Sequence, residues 1–205
     1  MKRAYIVDDD EAFRQSLVLL LSSNGWQAQA FDSPRAFMDV SAQLQPGLLL
    51  LDLNMPGNTG LDLLESGRPE LDRFAAVMIT GAGRIETAVR TIRAGALDFI
   101  EKPFAGDELL ERLDRLDVAL QESLNSKRHA LKAKQLVDRL SARERDVLVR
   151  LVGGASNKLI ARSIAISPRT VEMHRAKMLQ RLGVGTTAEA LEIARRAGLK
   201  PVAVE

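Results

Sequence analysis

Over roughly the first hundred residues, short runs that are apolar at nearly every position alternate with longer stretches in which apolar residues recur every three or four positions. Ala4-Tyr5-Ile6-Val7, Leu48-Leu49-Leu50-Leu51, Val77-Met78-Ile79-Thr80 and Asp98-Phe99-Ile100 are the short runs, and Trp26 to Phe31 alternates as a further strand. Strands apolar on both faces belong to a parallel sheet covered by helices. The helical pattern from about Glu11 to Ser23 closes at Asn24-Gly25, a left-handed stop. Ser33-Pro34 opens the next helix, with Ala36, Phe37, Val40 and Leu44 inward. Gly60-Leu61-Asp62-Leu63-Leu64 begins another, which Gly67-Arg68-Pro69 interrupts. A helix from about Arg84 to Ala94 stops at Gly95, with Ala88, Val89 and Ile92 expected inward. Five β-α units joined by right-handed crossovers predict an open α/β sheet with helices on both faces.

From Gly106 the pattern stays helical, with Leu109, Leu110, Leu113, Leu116, Leu120 and Leu124 in series and Leu131 and Leu136 beyond them. No Gly or Pro interrupts the chain until Gly153. Two readings stay open: a signalling helix with a coiled-coil contact, or a helix packed on the sheet followed by a solvated linker. Ser141-Ala142-Arg143-Glu144 is a capping box that starts a helix with Val147, Leu148, Leu151 and Val152 inward, ended by Gly153-Gly154. A short helix from Ser156 or Asn157 turns at Ala165 to Ser167, Pro168 opens the next helix to Leu182-Gly183, and Thr186 to Glu189 caps a fourth. Two short helices joined by a tight turn form a helix-turn-helix. The expected division is 1–122, a helical linker 123–140, and 141–205.

Charge divides the same way. Residues 1–104 hold 10 Lys and Arg against 14 Asp and Glu, whereas residues 141–205 hold 12 against 6. An acidic front and a basic back point to metal or phosphate chemistry in one part and a polyanion partner for the other. The absence of cysteine excludes disulfides and thiolate chemistry. No apolar run approaches the length of a membrane span, and Met1-Lys2-Arg3 leads directly into a strand, so a cytoplasmic protein is expected.

The candidate chemistry sits where strands end. Asp52 follows the leucine run at the carboxyl edge of the sheet, where open α/β sheets place ligands. Alone it would read as a turn cap. Asp8 and Asp9 end the first strand and would reach the same edge, and three crowded carboxylates call for a cation, for which Mg²⁺ is suited. Lys102, after the last strand, brings an ammonium matched to phosphate oxygens, and Thr80 brings a hydroxyl.

Asp8-Asp9, Asp52 followed by Met55-Pro56-Gly57, Thr80-Gly81 and Lys102-Pro103-Phe104, in this order, resemble the receiver domain of two-component response regulators over residues 1 to about 120. The resemblance implies a flavodoxin-like (βα)5 doubly wound fold with strand order 2-1-3-4-5. It further implies a phosphoryl group passed from a sensor histidine kinase to Asp52. Asp8, Asp9, Asp52 and the backbone carbonyl of Asn54 would hold Mg²⁺, with Lys102 on the phosphoryl oxygens and Thr80 and Phe99 as the switch pair. Thr59 departs from the acidic residue many receivers carry before Gly60.

Leu140-Ser141-x-Arg143-Glu144, Ser156-Asn157-Lys158, Ile160-Ala161, Thr170-Val171-Glu172-x-His174 and Leu182-Gly183-Val184 resemble the LuxR-type DNA-binding domain over about 138–200. A small all-α domain is implied, and the whole chain resembles regulators of the FixJ/NarL type. Leu159 departs from the Glu common in that family. Helical spacing puts Val171, Arg175 or His174, Met178 and Leu182 on one stripe, leaving Glu172, Met173 and Ala176 for base edges. Arg169, Thr170, Arg175 and Lys177, with Asn157 and Lys158, suit phosphates.

The combined expectation is a DNA-binding response regulator that is not a turnover enzyme. Its partners would be a histidine kinase, double-stranded promoter DNA, a second copy on phosphorylation and RNA polymerase, with no membrane. A helical bundle that binds protein instead is disfavoured by the basic back domain. A phosphatase of similar fold is disfavoured because position 54 is Asn where that class has a second Asp.

Overall fold

The computed structural model describes residues 1–55, 59–81 and 85–202. Pro56 and Gly57 of the expected turn, and Arg84 at the expected helix start, lie outside the described residues. The chain divides into two compact units, residues 1–124 and 125–205.

In the first unit β1 (Arg3–Val7), β2 (Gln27–Phe31), β3 (Gly47–Asp52), β4 (Phe74–Thr80) and β5 (Asp98–Glu101) form one parallel sheet in the order β2-β1-β3-β4-β5. α1 (Glu11–Ser23), α2 (Pro34–Ser41), α3 (Gly60–Glu65) and α4 (Ile85–Arg93) connect the strands, with a 3₁₀ turn at Pro69–Arg73. The strand order is the one expected. β2 begins one residue late, and Trp26 instead packs into the core.

The leucine run separates by period two. Leu48 and Leu50 pack with Ile6, Val77, Ile79, Leu17 and Leu21 on one face of the sheet, whereas Leu49 and Leu51 pack with Tyr5, Met78, Phe37 and Leu61 on the other. Each leucine is almost fully buried, worth about 1.5–3 kcal/mol relative to exposure. This double burial holds the strand ends, and so the site at their carboxyl edge, in register.

Local caps set the helix starts. The Asp10 carboxylate accepts from the Phe13 N–H to cap α1, and Ser33 accepts from Ala36 to cap α2, with Pro34 at the first position. Thr59 and Asp62 form a reciprocal capping box on α3. A β-carbon on Gly60 would overlap the carbonyl oxygen of Asp52, so only glycine lets α3 begin this close to β3.

α4 corrects one expectation. Helical spacing points Val89 and Ile92 inward, but they are 45% and 49% exposed, and Ile85 is 82% exposed. Thr91 is the fully buried residue of this helix, and its hydroxyl donates to the Ala88 carbonyl at 2.8 Å. A polar side chain is tolerated on the inner face because its own helix satisfies it.

α5 (Gly106–Asp138) is a single helix, which answers the question of continuity left open by the leucine series. Leu109, Leu113 and Leu120 are buried and Leu116 and Leu124 pack beside them, but Leu131 is 59% exposed. Leu136 packs beside the core of the second unit, inside the stretch expected as a solvated linker. Ala133 and Val137 are buried again within the second unit.

The second unit adds α6 (Ala142–Val152), α7 (Asn157–Ser163), α8 (Pro168–Leu182) and α9 (Thr187–Arg196). Capping boxes at Ser141–Glu144 and Thr186–Glu189 start α6 and α9, and Ser156 and Ser167 cap α7 and α8. Leu148, Met178, Leu182, Ala190 and Ala194 form its main core, with Val147, Ile160, Ala161 and Val171 under the α7–α8 pair. Ala165 turns that pair at φ +53°, an unusual conformation for a residue with a β-carbon.

Candidate functional site: a carboxylate pair bridged by lysine, and an exposed recognition helix

β1 and β3 are neighbours and both lead into aspartate, so Asp8 and Asp52 meet at the carboxyl edge of the sheet. They are 2% and 6% exposed. Lys102, just beyond β5, brings its Nζ to 2.7 Å from Asp8 Oδ2 and 3.2 Å from Asp52 Oδ1. Its backbone N–H donates to the Thr80 carbonyl at 2.7 Å, which ties the lysine to the end of β4, and the Lys102-Pro103 peptide is cis. Asp8 Oδ1 accepts from the Asp10 N–H, and Asp52 Oδ2 accepts from the Asn54 N–H at 2.8 Å. Thr80 is fully buried, and the Asn54 side-chain amide donates to its hydroxyl at 3.3 Å.

Burial pushes the Asp52 carboxyl above the usual carboxylate range; the nearby Lys102 ammonium pulls it down, and the Asp8 charge raises it. The result is a buried, acceptor-rich oxygen pair facing a fixed cation.

Of the three expected carboxylates, Asp8 and Asp52 are the buried pair. Asp9 is exposed, and among the described residues no three His, Cys, Asp or Glu side chains group closely enough to hold a metal on their own. Hard oxygen donors are nonetheless concentrated here, and Mg²⁺ commonly uses one or two carboxylates while keeping several waters. The donor set fits that ion.

Phe99, expected as the aromatic partner of Thr80, lies on β5 half-buried against the core cluster that contains Leu51 and Met78. Two residues of α1 were not anticipated. The Arg14 guanidinium donates to the Asp8 carbonyl at 2.7 Å, and the Phe13 ring lies against Lys102. Their only signal in the sequence is position, in the first turn of a helix that starts at the aspartate edge.

In the second unit Arg169, Glu172, Met173, Ala176 and Lys177 are exposed along α8, and Val171, Met178 and Leu182 are buried. Lys158 is exposed on α7. The Thr170 hydroxyl lies 2.8 Å from that of Ser167 within the cap. Arg175 departs from a simple phosphate-facing role. Its Nη1 donates to Asn157 Oδ1 and its Nη2 to Thr187 Oγ1, both at 2.7 Å, so one guanidinium joins α7, α8 and α9. That contact also occupies the Asn157 oxygen. A second link, again absent from helical spacing, is Glu144, 2% exposed and bonded to the Arg181 guanidinium at 2.6 Å.

Comparison with known proteins accords with both halves. The response regulator receiver domain family matches residues 4–114, and the family described as bacterial regulatory proteins, luxR family, matches residues 138–194. The chain is 37% identical over 195 residues to the transcriptional regulatory protein FixJ of Bradyrhizobium diazoefficiens, covering 95% of each. Against FixJ of Rhizobium meliloti the identity is 35%, covering 96% of this chain and 97% of the relative. Among solved structures, full-length FixJ from B. japonicum aligns with a TM-score of 0.59 at 37% identity, covering 96% of this chain and 97% of that one. The response regulator StyR aligns with a TM-score of 0.81 at 32% identity, covering 96% and 100%. A receiver fold with paired aspartates at its sheet edge, followed by a LuxR-type helix-turn-helix, places this chain in the family of FixJ-like response regulators, which are transcriptional regulators.

Proposed function

We propose that the protein is a phosphorylation-controlled transcription factor in which Asp52 accepts a phosphoryl group from the phosphohistidine of a sensor kinase. The carrying observation is the Asp8–Lys102–Asp52 cluster at the carboxyl edge of the sheet. An Asp52 oxygen attacks phosphorus in line with the leaving histidine nitrogen, forming the acyl phosphate as the P–N bond breaks. Lys102 neutralises the phosphoryl oxygens, and the Thr80 hydroxyl donates to one of them once the group is attached. Asp8, Asp9, Asp52 and the Asn54 carbonyl would hold Mg²⁺, which supplies further charge neutralisation at the transferring group. Asp52 is itself the acceptor, so the chain is modified rather than turning over a substrate.

Phosphorylation then favours a homodimer. The exposed Ile85, Val89 and Ile92 of α4, with Leu97 at 52% exposure, form an apolar stripe beside the strand that carries Phe99. Movement of Thr80 and Phe99 would bias this face, and dimerisation would set two α8 helices on the half-sites of a promoter. Glu172, Met173 and Ala176 read base edges. Arg169, Thr170, Lys158 and Lys177 meet phosphates, and Arg175 and Asn157 fix the frame that presents them. Promoter DNA, the kinase and RNA polymerase are the partners. The protein acts in the cytoplasm, and no helix among the described residues is long and apolar enough to cross a membrane.

The deciding experiment measures molar mass and promoter binding of the full chain with Mg²⁺, before and after addition of beryllofluoride. A doubled mass and tighter binding are expected from the wild type and not from Asp52→Asn. Identical mass and promoter occupancy with and without beryllofluoride in the wild type would exclude this function.

A further inference from the structure

We propose that Phe13 is a positioning residue for Lys102, its ring holding the lysine ammonium against the two buried carboxylates. The inference rests on the phosphoacceptor reading and adds to it a residue that acts through the lysine. The Lys102 Nζ lies 3.7 Å from the centroid of the Phe13 ring, well inside the distance at which a cation is attracted by a ring face. The same Nζ lies 2.7 Å from Asp8 and 3.2 Å from Asp52, so the ring adds an apolar, electron-rich wall to an ammonium already shared by two carboxylates. The lysine side chain keeps 24% exposure.

The ring is itself held in place. Phe104, two residues past Lys102, meets Phe13 edge-on with ring centroids 6.1 Å apart and an interplanar angle of 74°. Both rings pack beside the core cluster of Ile6, Leu17 and Leu109. The Phe13 backbone N–H is bound by the Asp10 cap, which sets where the first turn of α1 directs its side chains. The ammonium therefore has a cation–π contact on one side and ionic partners on the other. Removing the ring leaves the charge and both aspartates intact but lets water compete for the ammonium and lets the long side chain swing outward. Phosphoryl oxygens arriving at Asp52 would then meet a lysine that must first be reordered.

The test uses the full chain with saturating Mg²⁺ and phosphoramidate, whose P–N bond breaks and releases ammonia as the Asp52 O–P bond forms. Wild type is compared with Phe13→Leu, Phe13→Met and Phe13→Tyr, and with Asp52→Asn as control. Both aliphatic variants should label about 3- to 10-fold more slowly, the size of effect expected for a partly desolvated cation–π contact. Phe13→Tyr keeps a ring face and should restore the rate to within about twofold. The second readout is the proton NMR signal of the Lys102 ε-methylene, measured without phosphodonor. It should be displaced upfield by the ring in the wild type and Phe13→Tyr, and should return to an ordinary lysine position in Phe13→Leu and Phe13→Met. Labelling at the wild-type rate in both aliphatic variants would overturn the inference, as would equal slowing by Phe13→Tyr or an unmoved lysine signal. Labelling of Asp52→Asn would instead overturn the phosphoacceptor reading, and the lysine signal would still report the contact.

Discussion

Lys102 Nζ stands nearer to Asp8, at 2.7 Å, than to Asp52, at 3.2 Å, so the shared ammonium is held most closely by Asp8 rather than by the proposed phosphoacceptor. Asp52 is left as the less well compensated of two buried carboxylates. This accounts for the direction of its proton affinity: burial raises it, Asp8 adds to the rise, and Lys102 opposes it without reversing it.

Stability should therefore depend on pH through Asp52 in a definite sense. The folded pKa lies above the ordinary carboxylate value, so the fold opposes ionisation of this group. Above that pKa the charged side chain costs stability, and the cost disappears as pH falls through the folded value toward the unfolded one. Asp52→Asn should accordingly raise the thermal midpoint at neutral pH, with Asp8 remaining to pair Lys102. The gain should shrink as the solution is acidified. Calorimetry across the acid range checks this, and a variant less stable than wild type at neutral pH would contradict it.

The α4 surface supports a second expectation. Val89→Asp or Ile92→Asp places a charge where solvent already reaches, so the melting midpoint should move little. The same charge desolvated in a dimer would be costly, and the beryllofluoride-dependent rise in molar mass should be lost. Light scattering gives the mass and phosphoramidate labelling confirms an intact site. A Val89→Asp protein that still doubles in mass would move the dimer contact elsewhere.

How much of this was legible in the sequence follows from the range of each interaction. The leucine strand between Pro46-Gly47 and the turn after Asp52 could be read because continuous burial leaves a local mark, and with it the sheet edge that collects Asp8, Asp52 and Lys102. The inward face of α4 could not be read. Periodicity defines an apolar stripe but not which way it points, and a buried Thr91 satisfied by its own helix breaks the rule that apolar means inside. Side-chain pairings set by tertiary structure left no periodic trace at all. Phe13 meets Lys102 across 89 positions, and Arg175 reaches Asn157 and Thr187 across 18 and 12.

Arg175 carries a third prediction. A guanidinium that bonds side chains on α7 and α9 from α8 fixes the angle between the two helices of the motif and anchors the fourth. Arg175→Ala should lower the stability of the DNA-binding unit by about 1–3 kcal/mol, as expected for hydrogen bonds to a charged group. Arg175→Lys should recover little, because a single ammonium cannot reproduce the fork. Promoter and random DNA should be weakened together, since the frame is disturbed rather than a base contact. Chemical denaturation and titrations on both DNAs measure this, and loss of affinity confined to the promoter would assign Arg175 to base reading instead.

Glu172 and Lys177 are both exposed on α8, but they should fail in different ways. A lysine on a phosphate releases condensed counterions whatever the sequence. Lys177→Ala should thus weaken all DNA to a similar degree and reduce the slope of log affinity against log salt by about 1 for each phosphate no longer neutralised. A carboxylate at a base edge accepts from a cytosine amino group and repels the backbone, so removing it changes preference more than overall strength. Glu172→Ala should lose about 1–3 kcal/mol of discrimination at one base pair of each half-site and bind random DNA as well as the wild type or better. Competition binding against single-base operator variants at several salt concentrations separates the two. Should Glu172→Ala keep the wild-type base preference while Lys177→Ala alters it, the roles of the two side chains would have to be exchanged.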